Sequence, residues 1–130
     1  MGGKNSKLRD AAKAGNIEEV KALIQKGADV NTKDGWDKTA LCWAADNGHT
    51  DIVKMLIDAG ADANKFDNSG DTAFSYAIRK GHTDVVKMLI NADPNADVTT
   101  QALASAIHEG KADIVKMLME AGTDVNTLDK

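Results

Sequence analysis

The chain has 130 residues, 42% of them apolar and 28% charged, which suits one domain with a modest hydrophobic core. A net charge of −4, from 16 basic against 20 acidic residues, excludes the clustered Lys/Arg footprint of a nucleic-acid binder. No apolar run approaches the roughly 18 residues of a membrane span, the start lacks a secretory signal core, and the lone Cys42 fits a reducing, cytoplasmic setting.

In chain order, Met1-Gly2-Gly3-Lys4-Asn5-Ser6 comes first and matches the M-G-x-x-x-[ST] pattern for N-myristoylation. A flexible leader explains the same residues, and one acyl chain gives only marginal membrane binding. First helices are predicted over Lys7–Ala14, Thr39–Asn47, Thr72–Lys80 and Gln101–Glu109, with small core residues such as Ala11/Ala12 and Ala44/Ala45 that permit close helix approach. Each is followed by a glycine, Gly15, Gly48, Gly81 or Gly110, where a tight helix–helix turn needs positive φ. A second helix then carries an apolar stripe at spacings of one, three and four: Val20/Leu23/Ile24, Ile52/Val53/Leu56/Ile57, Val85/Val86/Leu89/Ile90 and Ile114/Val115/Leu118/Met119. Gly27, Gly60 and Gly122 are expected to stop the second helices. Asp29–Lys38 and Asp62–Asp71 read as polar extended arms with a turn.

The stretch Thr39–Phe66 thus returns at a shift of 33 residues as Thr72–Thr99, and again, four residues short, as Gln101–Leu128. Its second half also lies over Gly15–Lys33. The units run over about 4–33, 34–66, 67–99 and 100–130 of a single domain, the first and last acting as caps. Glu19 stands where the other repeats carry Ile or Val, which marks a solvent-facing surface on the first unit.

The 33-residue period, the T-A-L and T-A-F starts, G-H-T-D-[IV]-V-K-M-L-I and G-A-D-x-N together resemble the ankyrin repeat. The resemblance implies an all-α solenoid of stacked helix-turn-helix units with short β-hairpin loops. It also implies a non-catalytic module that binds another protein through hairpin tips and a concave helix face, monomeric on its own. By register with the family's pattern, the surface comprises Lys33, Trp36, Lys38, Asp46, Asn47, Phe66, Ser69, Asp71, Arg79 and Lys80. These columns are also varied in engineered ankyrin binders, which leaves a redesigned scaffold open, although the uneven repeats speak against a pure consensus design. The family's T-P-L-H histidine is replaced by Cys42 and Ser75, which implies a looser loop network. Asp37 takes the place of the tip glycine. Asp93-Pro94 replaces a helix stop, and with the deletion before Gln101 it implies a shortened hairpin between repeats three and four.

Trp36 at a tip and Phe66 entering the next tip have no core role in this register and have the composition of interface anchors. Trp43 and Tyr76 share a first-helix column and fit packing between repeats as well as surface contact. Met55, Met88 and Met117 form a column expected to pack between repeats. His49 and His82 are expected to be structural at helix starts, and His108 exposed. No ligand cluster has metal spacing, and neither G-x-x-x-x-G-K-[ST] nor G-x-G-x-x-G occurs, so no cofactor is expected. Two other readings remain: a myristoylated membrane-associated adaptor, and an enzyme using Cys42 with His49, which would need a third group.

Overall fold

Side-chain oxygens fix where three of the helices begin. The Asn16 carboxamide accepts the Glu19 N–H at 3.1 Å, and Thr39 and Thr72 accept the N–H groups of Cys42 and Ser75. Each bond satisfies one of the backbone donors that a helix start leaves unpaired. Ser75 returns the bond to the Thr72 N–H, which completes a capping box.

The computed structural model describes residues 3–92, 104 and 106–128, with 121–128 described by their helical backbone. Its helices are α1 (Lys4–Ala14), α2 (Ile17–Gln25), α3 (Ala40–Asp46), α4 (Thr50–Asp58), α5 (Ala73–Lys80), α6 (Thr83–Ala92) and α7 (Ala112–Leu128). Residues 104 and 106–108 are also helical. Within a repeat the two helices pair, α1 with α2, α3 with α4 and α5 with α6. Between repeats α1 packs on α3 and α3 on α5, while α2 packs on α4, α4 on α6 and α6 on α7. Like therefore stacks on like, the arrangement of a one-dimensional repeat array.

The core follows the apolar columns. Val20, Ile52, Val53, Leu56, Val85, Val86 and Ile114 are buried, beside the small residues Ala12, Ala44, Ala45 and Ala77 of the first-helix layer. Met55, Met88 and Met117 are half-buried against this core. Glu19 is exposed on the outer face of α2.

The stack is also locked by polar contacts at helix ends. The His49 Nε2–H donates to the Lys13 carbonyl at 3.1 Å, and that of His82 donates to the Asp46 carbonyl at 3.0 Å. Both acceptors lie at the end of the preceding repeat's first helix, where carbonyls lack intrahelical partners. The rings pass directly over Gly15 and Gly48, where an added Cβ would sit 2.7 and 2.8 Å from imidazole carbon. Both glycines also have φ above +70°, so backbone and space each select glycine. In repeat four Lys111 replaces the histidine and lies over Gly81.

Three expectations meet a different outcome. Helix α1 starts at Lys4, ahead of Lys7, and α7 runs through Gly122 to Leu128 instead of stopping there. Glycine permits a left-handed stop without enforcing one. At Gly27 and Gly60 the stop is held from outside. Asn5 Oδ1 accepts the Asp29 N–H, while Asn31 donates to the Gly60 carbonyl and accepts the Asp62 N–H. The hairpin tips close as turns, with no β-strand among the described residues. Met1-Gly2, the Asp93-Pro94 stop and the shortened connection before Gln101 lie outside the described residues.

Repeat four has a buried seam at Ala106, Ile114 and Leu118, but Ile107 is 60% exposed, whereas Ile78 in the same column is fully buried. A terminal unit with one neighbour opens locally at lower free energy than an interior one. Amide exchange is therefore expected to be faster over Ile107–Leu118 than over Ile52–Ile57. Equal protection of the two segments would show that repeat four is as firmly held as repeat two.

Candidate protein-binding surface

Two aspartates build the tips. Asp34 Oδ1 accepts the N–H groups of Trp36 and Lys38 at 2.9 and 3.0 Å, and its own N–H donates to the Lys38 carbonyl. Asp67 repeats this 33 positions on, accepting from Ser69 and Asp71, each at 2.9 Å, with its N–H on the Asp71 carbonyl. Asp37 (φ 61°) and Gly70 (φ 79°) hold the same left-handed corner, which an aspartate tolerates better than most residues.

The second oxygen of each carboxylate reaches nine residues ahead. Trp43 Nε1–H donates to Asp34 Oδ2 at 2.8 Å, and the Tyr76 hydroxyl donates to Asp67 Oδ2. Each tip is thereby tied to the first helix of its own repeat, by an aromatic donor one position beyond Cys42 and Ser75. Burial works to raise both acids' pKa. The N–H of Lys38, the Trp43 indole and the N–H of Trp36 outweigh it and hold Asp34 below the usual carboxylate range. At Asp67 the Tyr76 hydroxyl and the N–H groups of Asp71 and Ser69 do the same. Burial, reinforced by the bond to Asp67, pushes the Tyr76 phenol well above its ordinary value.

Tips so tied place their aromatics outward. Trp36 is 64% and Phe66 59% exposed. The two tips are joined, since the Asn68 N–H donates to the Trp36 carbonyl at 3.0 Å and Lys33 Nζ donates to the Phe66 carbonyl at 3.1 Å. Lys33, Trp36, Phe66 and Ser69 therefore share one exposed edge.

On the first-helix face, cations and rings alternate along the stack. Lys13 Nζ lies 4.5 Å from the Trp43 centroid, and Lys38 Nζ lies 4.4 Å from Trp43 and 5.1 Å from Tyr76. The Arg79 guanidinium lies 5.4 Å from the Tyr76 centroid. Tyr76 is buried and Trp43 half-buried, so both rings are packed and their cations cover them. The remaining sequence-predicted residues form two ion pairs among themselves and one bond to a backbone carbonyl. Arg79 meets Asp71 at 2.8 Å, Lys80 meets Asp46 at 3.1 Å, and the Asn47 amide donates to the Lys13 carbonyl at 2.9 Å.

Sequence reading missed Asp34, Asp67 and Lys13. The signal was present as an aspartate followed nine residues later by Trp or Tyr, repeated at 33 residues (Asp34/Trp43, Asp67/Tyr76). Cys42 is buried and burial pushes its thiol up, opposite to the shift that activates a nucleophile. His49 is committed to the Lys13 carbonyl, and His108 is exposed. Among the described residues no group of three or more His, Cys, Asp or Glu could hold a metal ion, and no helix is long and apolar enough to cross a membrane.

Paired helices stacked like on like, with turned tips along one edge, define a helical repeat protein. The family model for ankyrin repeats (3 copies) matches residues 8–102 and 70–129. The chain belongs to the ankyrin repeat family, whose members are generally protein–protein interaction modules and typically non-catalytic. No curated protein matches it.

Proposed function

We propose that the chain is a non-catalytic module that binds a partner protein through the Trp36–Phe66 edge and the adjoining first-helix face. The observation that carries this reading is the exposure of both aromatics on joined, rigidly tied tips. Large rigid rings concentrate binding energy at interfaces because they bury much area with little loss of side-chain freedom. Lys33, Lys38, Asp46, Asn47, Ser69, Asp71, Arg79 and Lys80 supply the polar surround, which acts more on association rate and salt dependence than on final affinity. The reading places the module in the cytoplasm, as a monomer that meets its partner there.

Selection from a random peptide library against the immobilised protein tests it. Selected binders are expected to lose about 2 kcal/mol or more on Trp36→Ala, roughly thirtyfold, with the melting temperature nearly unchanged. Trp43→Ala should instead lower melting temperature and binding together, since its indole anchors the tip through Asp34. Normal binding with early melting in Trp36→Ala would make that ring structural and move the interface elsewhere.

A further inference from the structure

The first-helix face carries three cations, Lys13, Lys38 and Arg79, each against an aromatic ring. Among the described residues, the ammonium groups of Lys13 and Lys38 make contacts with rings and no hydrogen bond or ion pair. Among the described residues no carboxylate oxygen comes within ion-pair distance of either ammonium: Asp34 and Asp67 face internal N–H and O–H donors, and the Asp67 charge acts on Lys38 only across a longer gap. Arg79, the third cation, is held at its Nη2 by Asp71, and its planar fork has further N–H groups.

These cations are fixed in place. Lys38 is held between two rings and Lys13 against one, so swinging away would forfeit about 0.5–1 kcal/mol per contact. An anion docking on them meets charges whose side-chain freedom is already reduced, which lowers the ordering cost of binding. The order along the stack is Lys13, Trp43, Lys38, Tyr76, Arg79, with one ring, from successive repeats, between each pair of cations. The cation-to-centroid distances of 4.5 and 4.4 Å at Trp43, and of 5.1 and 5.4 Å at Tyr76, hold successive cations to at most about 10 Å apart, and an extended chain rises about 3.3 Å per residue. Successive cations are therefore matched by every third residue of an extended segment. A helix rising 1.5 Å per residue would need about fourteen residues to pass the same file, against about seven extended. The chain's net charge of −4 disfavours a long polyanion such as nucleic acid and leaves a short acidic segment as the fitting anion.

We infer that the first-helix face binds an extended acidic peptide segment of the partner, with carboxylates at every third residue seated on Lys13, Lys38 and Arg79. This rests on the protein-binding reading and names the partner's chemistry.

The test uses the full chain and three nine-residue peptides on a serine–threonine background. One has glutamate at every third position, one has the same three glutamates contiguous, and one has lysine at every third position. Affinity is read by titration, with the Trp43 indole N–H resonance as the local signal. The periodic acidic peptide is expected to bind at least about tenfold tighter than its contiguous isomer. Lys13→Gln with Lys38→Gln should abolish that preference, and Lys13→Arg with Lys38→Arg should keep it; a melting curve of each variant confirms folding. Equal affinity for the two isomers, equal or tighter binding of the lysine peptide, or no binding of the periodic peptide up to about 1 mM would overturn the inference. None of these peptides has an aromatic or aliphatic anchor for the Trp36–Phe66 edge. Their failure therefore leaves that edge to its own library selection, and failure of the edge leaves this test intact.

Discussion

Replacing Leu56 by alanine is expected to lower the unfolding free energy by about 2–5 kcal/mol. Leu56 is fully buried in α4, which has a neighbouring second helix on each side, α2 and α6. Removing its branched end sacrifices the transfer energy of the lost carbons. The close-packed neighbours recover little of the gap, because each is tied to its own helix. Leu23 occupies the same column in α2, which has such a neighbour on one side only, and its replacement is expected to cost less. Denaturant midpoints of the two variants against wild type measure both effects. Equal midpoints for wild type and Leu56→Ala would contradict the stacking itself.

Asp67→Ala is expected to cost about 2–4 kcal/mol, because the donors of Ser69, Asp71 and Tyr76 lose their acceptor together. The isosteric Asp67→Asn should cost less and should act chiefly through pH. Asp67 and Asp34 are held below the ordinary carboxylate range in the fold, so the unfolded chain binds more protons in acid. Their contribution is complete above the ordinary aspartate value of about 4 and is lost as pH falls through the lowered folded values. Wild-type stability should therefore decline below about pH 4 more steeply than that of Asp67→Asn. Parallel pH profiles for the two proteins would show that the carboxylate is not coupled to folding.

The legible parts of the fold are those in which one residue type satisfies a local demand. Gly15 and Gly48 could be read because a tight turn between two helices needs a positive φ, and Leu56 because its spacing leaves one buried face. Trp36 and Phe66 were legible as outward-facing rings because no apolar column claims them. The tip aspartates were not, since a carboxylate in a polar turn looks solvated until the fold shows which donor its second oxygen meets. Lys13 escaped for a related reason: an ammonium on a helix surface looks free when the ring it covers belongs to the next repeat. Gly122 misled because the signal of a stop is local, whereas the side chains that hold one, Asn5 and Asn31 in the earlier repeats, come from elsewhere.

The two indoles of this chain occupy opposite surroundings. Trp36 stands largely in water, while Trp43 is clasped by two ammonium groups and hydrogen-bonded to a carboxylate. Their intrinsic emission therefore reports on separate events. Light from Trp43 follows the integrity of the tip, the seam between the first two repeats and anything seated on the first-helix face. Light from Trp36 follows the water around the edge. The molecule thus carries two unlabelled optical channels, and a change confined to Trp36 is the one expected when a partner covers the edge and leaves the scaffold unaltered.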